Sequence, residues 1–271
     1  MNSSEARILI LVGHALYEPW KSILYRGQLE TWARGQEFQI KHCHALTVSP
    51  LMRKIDSWFW NLKWNESFGK IAIIIEMFIK APLKIFQGNL KESNLVNSNH
   101  KSLVLRMPDL DFLMNFKSFA IITGTLKLNY DFVVLTTTSS YLNLDLLKKE
   151  ISKLPKKNVV AGRIVEQNGV KFASGSFRLF SRDVVEKMLI DKKRYSKWRA
   201  EDLAYGFLLN RKDLHIKYLS LPSIDTDSVD KINSLSQVDL ESVVHFRLKS
   251  GTHEKRNDIE LMHLLHSRLE S

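Results

Sequence analysis

The sequence is short of cysteine, of acidic residues and of long apolar runs. Cys43 is the sole cysteine, so no disulfide can form within the chain, which suits a reducing compartment. Against 40 Lys plus Arg stand 29 Asp plus Glu, a formal net charge of +11. That deficit of acid favours acidic partners such as nucleotides, anionic lipid or nucleic acid. The longest apolar stretch, residues 71–86, is broken by Glu76, Lys80 and Lys84. It falls short of the ~20 apolar residues that a membrane-spanning helix needs. No secretory leader is visible: Met1 to Ala6 is polar, and the run from Ile8 to Val12 is too short for a signal core. These absences lead to the expectation of a cytoplasmic protein, soluble or peripheral at the inner face of the cell membrane.

What is present is enough apolar residue, 44% of the chain, to build a large core, which excludes general disorder. Residues 8–13, 39–46, 132–135, 158–165, 170–180, 215–221 and 243–248 read as strands. Helical patterns fall at 18–33, 116–129, 143–154, 182–190, 199–209 and 258–269. Residues 96–101 read as a polar connection. Alternation of strands and helices predicts one α/β domain over residues 1–271, with a mixed, mainly parallel sheet flanked by helices. Within it lie a Trp/Lys-rich insertion at about 51–95 and an amphipathic terminal helix at about 256–270.

The most informative stretch is the β-branched run Phe132 to Leu135, which stops in five hydroxyl residues, Thr136 to Ser140. A helical pattern follows. Strand, polar tip and helix is the arrangement by which α/β proteins place ligands at the carboxyl end of a strand. Two further segments carry chemistry. Glu201-Asp202 opens a helix, where a carboxylate can take a proton from an attacking hydroxyl, although the pair equally makes an ordinary acidic first turn. Ser174-Gly175-Ser176 forms a small-residue step that lets a ligand approach the backbone, or merely a bulge that needs a small residue. Ser181 and Asp183 read as caps of the next helix.

Four segments in order resemble the beta-1,3-galactosyltransferase and Fringe-like group of GT-A glycosyltransferases. They are Arg26-Gly-Gln-Leu-Glu-Thr-Trp32, Thr136-Thr-Thr-Ser-Ser-Tyr-Leu-Asn-Leu-Asp145, Ser174-Gly-Ser-Phe-Arg-Leu-Phe-Ser-Arg-Asp183 and Glu201-Asp-Leu-Ala-Tyr-Gly206. The resemblance implies a GT-A-like fold and an inverting hexosyltransferase that takes its sugar from a nucleotide-sugar donor. Asp202 would be the base and Glu201 its neighbour in the site. Gly13, His14, Thr137, Thr138, Ser139 and Ser140 would hold the donor. Arg247 and Lys249 share the strand parity of His245, which suits either a reach to the donor's pyrophosphate or a solvated basic face. Ser174, Gly175 and Ser176 would meet the acceptor or the sugar.

The chain departs from that group where it matters for metal. Thr137, Thr138 and Ser139 stand where the group carries acidic residues, and neutral hydroxyls are poor ligands for Mg²⁺ or Mn²⁺. The expectation is therefore transfer without a firmly bound cofactor. His245 is the positional candidate for a metal ligand, with a structural hydrogen-bonding histidine as its alternative. His42 and His44 share one strand face but lack further ligands nearby in sequence.

The acceptor is expected to be a glycan or a lipid-linked glycan, in a bacterial surface polysaccharide such as lipopolysaccharide or capsule. The aromatic and lysine-rich stretch from Trp58 to Phe86 reads either as a segment docking on anionic membrane or as core and acceptor-cleft lid. No nucleic-acid module accompanies the charge, so no nucleic acid is expected as partner. A catalytically inactive module that binds a nucleotide, a glycan or a partner is the alternative to an enzyme.

Overall fold

The computed structural model describes residues 6–34, 38–63, 95–99, 102–109, 114–195, 200–249 and 256–271. The tryptophan-rich insertion therefore lies mostly outside the described residues.

The centre of the fold is set by β1 (Ile8–Gly13), whose residues are apolar at both parities. Such a strand needs cover on both faces. Ile8, Ile10 and Val12 enter one core with Phe132, Val134, Phe177 and Phe246. Leu9 and Leu11 enter another with Val133, Leu135, Phe180 and Tyr205. Beside β1 run β2 (Gln39–Leu46) and β5 (Phe132–Thr137), both parallel to it. The full eight-stranded order is β3-β4-β2-β1-β5-β8-β7-β9. Here β3 is Leu95–Asn99, β4 Ser102–Pro108, β7 Val159–Gln167, β8 Val170–Ser181 and β9 Lys217–Ser220. The β4–β2 and β7–β9 pairs are parallel, whereas β3, β8 and β7 introduce antiparallel pairings. The expected mixed α/β sheet flanked by helices is present.

A second sheet joins β10 (Ser223–Asp225), β11 (His245–Arg247) and β6 (Ser140–Leu142). Its consequence is local but decisive. Leaving the hydroxyl tip, the chain pairs as β6 with β11 in antiparallel register, which places Arg247 opposite Ser140.

Several boundaries differ from the sequence reading. Residues 18–33 do not form one helix. A single α-helical turn, α1 (Trp20–Ser22), widens into π-helical Ile23–Gln28, and a short 3-10 turn follows at Trp32–Arg34. In the widened turn the Leu29 N–H reaches back to the Leu24 carbonyl. Gly27 there lies against the terminal helix α9 (Asp258–Glu270), close enough that a Cβ would meet Met262 Sδ at 2.8 Å. Of the polar connection expected at 96–101, the described part lies in β3, which pairs antiparallel with β4. Polar β3 is an edge strand, where Asn and Ser are tolerated.

Ser181 stands at the N-cap of α5 (Arg182–Ile190) but does not cap it. Its hydroxyl donates to Asp183, and the Asp183 carboxylate accepts the Asn158 N–H, so both residues tie α5 to the start of β7. The remaining helices are α2 (Pro50–Lys63), α3 (Met114–Gly124), α4 (Leu144–Ser152), α6 (Glu201–Leu209), α7 (Val229–Ser234), α8 (Gln237–Ser242) and α9 (Asp258–Glu270). On α2, Leu51, Ile55 and Trp58 are exposed at helical spacing. No described helix is long and apolar enough to cross a membrane.

Candidate functional site

Parallel β1 and β5 end side by side, with Gly13 paired to Thr137. A cleft of about 530 Å³ opens at their carboxyl ends, where a parallel sheet leaves a crevice for ligand. Its lining brings together Gly13, His14, Thr137, Thr138, Ser139, Ser174, Gly175, Ser176, Glu201, Asp202, Arg247 and Lys249, residues spread over most of the chain.

The hydroxyl tip is held from below. Gln28 Nε2 donates to the carbonyls of Thr137 (2.9 Å) and Ser140 (3.1 Å), and Trp32 Nε1 donates to Ser140 O (3.0 Å). The segment Arg26 to Trp32 is thus a support for the tip, which accounts for its amide and indole. Thr136 Oγ1 and Ser140 Oγ both donate to Ser176 O, which locks the tip to β8. Ser139 O accepts the Leu248 N–H at 2.7 Å.

Two predicted residues lie beneath the cleft and do not line it. The hydroxyl of Ser140 contacts the His245 ring nitrogen Nε2 at 3.0 Å, while His245 Nδ1 contacts Ser223 Oγ at 2.6 Å. The ring also stacks on Phe177. With both nitrogens engaged, His245 has none free for a metal. Burial first, then Arg247 and Arg163, lower its pKa to about 3, so it is neutral near pH 7.

Across the cleft stands the acidic pair. The Leu203 N–H bonds Asp202 Oδ1 at 2.9 Å. A Cβ placed on Gly175 would sit 3.9 Å from Asp202 Oδ2, from Glu201 Oε2 and from Arg178 Nη2 alike. The glycine therefore keeps open a space bounded by two carboxylates and a guanidinium. Arg178 donates from Nη2 to Glu201 Oε1 at 2.5 Å, with its side chain 2% exposed. Its Nε and Nη1 have no partner among the described residues. Burial opposes its charge, but Glu201 first, then Tyr205, Tyr195 and Asp202, raise the pKa above that of free arginine. Glu201 is thereby committed to an ion pair, whereas Asp202 keeps Oδ2 on the open space.

The other wall is cationic. Arg247, Lys249, Arg256 and Lys117 all line the cleft. Lys117 pairs with Asp109 at 2.6 Å, and Arg256 pairs with Asp258. Arg247 and Lys249 have no acidic partner among the described residues. Burial, then Arg247 and Arg256, lower the Lys249 pKa, a sign that the three cations converge. His14 is held near 3, chiefly by burial, and serves as a neutral wall beside His44.

Sequence reasoning missed Arg178, Arg256 and Lys117. Arg178 had a usable signal, since it shares strand parity with Ser174 and Ser176 on β8. Arg256 had none, because it meets Ser139 only in three dimensions, 117 residues away.

Among the described residues no cluster of three or more His, Cys, Asp or Glu could hold a metal. The tip offers neutral oxygens, and those of Ser139 and Ser140 are already engaged. These residues do not fit the divalent metal that the resemblance implies.

The fold is mixed α/β, with a candidate ligand cleft at the carboxyl edge of its central strands. No family model and no curated protein matches the chain by sequence. Among solved structures it is similar to a glycosyltransferase involved in the glycosylation of the major capsid of PBCV-1, at 8% identity and TM-score 0.46, over 95% of this chain and 99% of that one. It is also similar to mouse xyloside xylosyltransferase 1 in its apo form, at 9% identity and TM-score 0.38, over 89% of this chain and 97% of that one. Both likenesses are in outline, and no residue role is carried over from either.

Proposed function

We propose that the protein is a glycosyltransferase that moves a sugar from a nucleotide-sugar donor to a hydroxyl of a glycan or lipid-linked glycan, with inversion and without a bound metal. The observation that carries this reading is the two-sided cleft: Asp202 Oδ2 at the gap beside Gly175 on one wall, hydroxyls and cations on the other. The chemistry needs both sides. The acceptor oxygen bonds to the anomeric carbon as the bond from that carbon to the phosphate oxygen breaks. Asp202 takes the acceptor proton, and the nucleoside diphosphate leaves with the electron pair. Charge growing on the leaving group meets Arg247 and Lys249, in a setting where fixed cations are worth more than in water. Gly13 and His14 border the nucleotide, Thr137 to Ser139 the ribose and phosphates, and Ser174 to Ser176 the reacting sugar or acceptor.

Glu201 is assigned a different task from its neighbour. Its ion pair with Arg178 fixes the start of α6 and so the position of Asp202. Asp202→Asn, which keeps the size and the Oδ1 contact, should lower turnover of the cognate sugar nucleotide about 10²- to 10⁴-fold with an unchanged melting temperature. Unchanged turnover in a folded Asp202→Asn protein would remove Asp202 as base. A catalytically inactive binding module would bind donor equally well in both proteins and turn over neither.

A further inference from the structure

We infer that Arg256 joins Arg247 and Lys249 in a built-in cation cradle that binds the donor's diphosphate at the hydroxyl tip, in the place of a divalent metal. This rests on the reading of the cleft as a nucleotide-sugar site. Arg256 Nη2 donates to Ser139 Oγ at 2.5 Å, at a tip position where the resembled group carries an acidic residue. The guanidinium therefore bonds the tip itself, which has hydroxyls and no carboxylate at residues 136–140.

Its placement is fixed from several sides. Asp258 accepts from Nε at 2.9 Å and also from Nη2. The guanidinium lies over the Trp20 ring, 4.8 Å from its centroid. Its side chain is 3% exposed, yet it borders the cleft. The two other cations arrive by backbone register. Arg247 faces Ser140 across the β11–β6 ladder, the Leu248 N–H bonds Ser139 O, and Lys249, next in the chain, lines the same cleft.

Three cations and one carboxylate, Asp258, thus meet beside neutral hydroxyls. The local excess of positive charge is unfavourable until an anion arrives. A diphosphate supplies two adjacent anionic groups and several acceptor oxygens, which match a guanidinium pair and an ammonium. A single phosphate or carboxylate would satisfy fewer of them.

The test measures binding of inorganic pyrophosphate by calorimetry, in EDTA and then in Mg²⁺. Wild-type protein should bind in EDTA, with affinity changed less than about twofold by Mg²⁺. Lys249→Gln should weaken binding about tenfold, and Arg256→Gln at least as much; raising salt should weaken it further. Lys249 is exposed, so its variant should fold even if the Arg256 variant does not. Binding that appears only with Mg²⁺, or wild-type affinity in Lys249→Gln, would overturn the cradle. The two readings fail separately. Metal-free binding lost in the variants, with no sugar nucleotide ever turned over, keeps the cradle and removes the transferase. Turnover and pyrophosphate binding that both need Mg²⁺ remove the cradle and the metal-free clause and keep the sugar transfer itself.

Discussion

Two adjacent carboxylates, Glu201 and Asp202, differ in what surrounds them, and the roles proposed for them rest on that difference. Glu201 is bound by a buried guanidinium, whereas Asp202 presents Oδ2 to the space that Gly175 leaves open. The histidines show the same rule in reverse. His14 and His245 have pKa values near 3, lowered mainly by burial from 6.5. The folded values are depressed, so between about pH 6.5 and 3 the unfolded chain binds protons that the fold excludes. Stability is complete above the unfolded pKa and is lost as pH falls through this window, with a slope of up to about 1.4 kcal/mol per pH unit for each histidine. Melting followed from pH 7 to pH 4 should therefore show a shallower slope in His245→Gln than in wild type; equal slopes would contradict the assignment. The hydroxyl run and the acidic pair were legible because each is a local string. Arg178 was half legible through strand parity, and the engagement of both His245 nitrogens was not, because Ser140 and Ser223 reach the ring from distant segments.

At the scale of elements, α6 matters most, because its first turn carries both acids and its body lies on β8. Gly206 makes that contact. A Cβ there would approach Val170 Cγ1 at 2.9 Å, Phe172 Cβ at 3.0 Å and Lys171 O at 3.1 Å. Gly206→Ala should destabilise the protein by about 1–3 kcal/mol and lower kcat, since the helix can yield only by lifting the acids away from the cleft. Gly175→Ala provides the contrast. Its Cβ would meet only ordinary contacts at 3.9 Å, so melting should change by less than about 0.5 kcal/mol while turnover drops. Thermal melts and steady-state rates on the two variants check both statements.

Elements with sustained periodicity, such as α5 and α9, were legible close to their ends. The widened turn at Ile23–Gln28 was not, because its form is set by Gly27 against α9 and Gln28 under the tip. The short strands β6 and β10 were also missed. Each has three residues, too few to show a period, and exists by pairing with β11.

For the molecule as a whole, the parallel half of the sheet creates the cleft, and the late chain supplies its charge. β1 and β5 end together under a polar tip, α6 brings acids from one side, and β11 with the start of α9 brings cations from the other. The net charge of +11 fits an anionic donor, and the cations converge at the tip that lacks carboxylates. On the proposed reading, fixed arginine and lysine at this tip do the work for which the resembled group uses metal. The direct measurement is turnover of a panel of sugar nucleotides by the full chain, with nucleoside diphosphate release followed in excess EDTA and in Mn²⁺. The expected result is a cognate donor whose turnover in EDTA stays within about twofold of that in Mn²⁺ and falls by at least tenfold in Arg256→Gln. Turnover that vanishes in EDTA and returns with Mn²⁺ would contradict it.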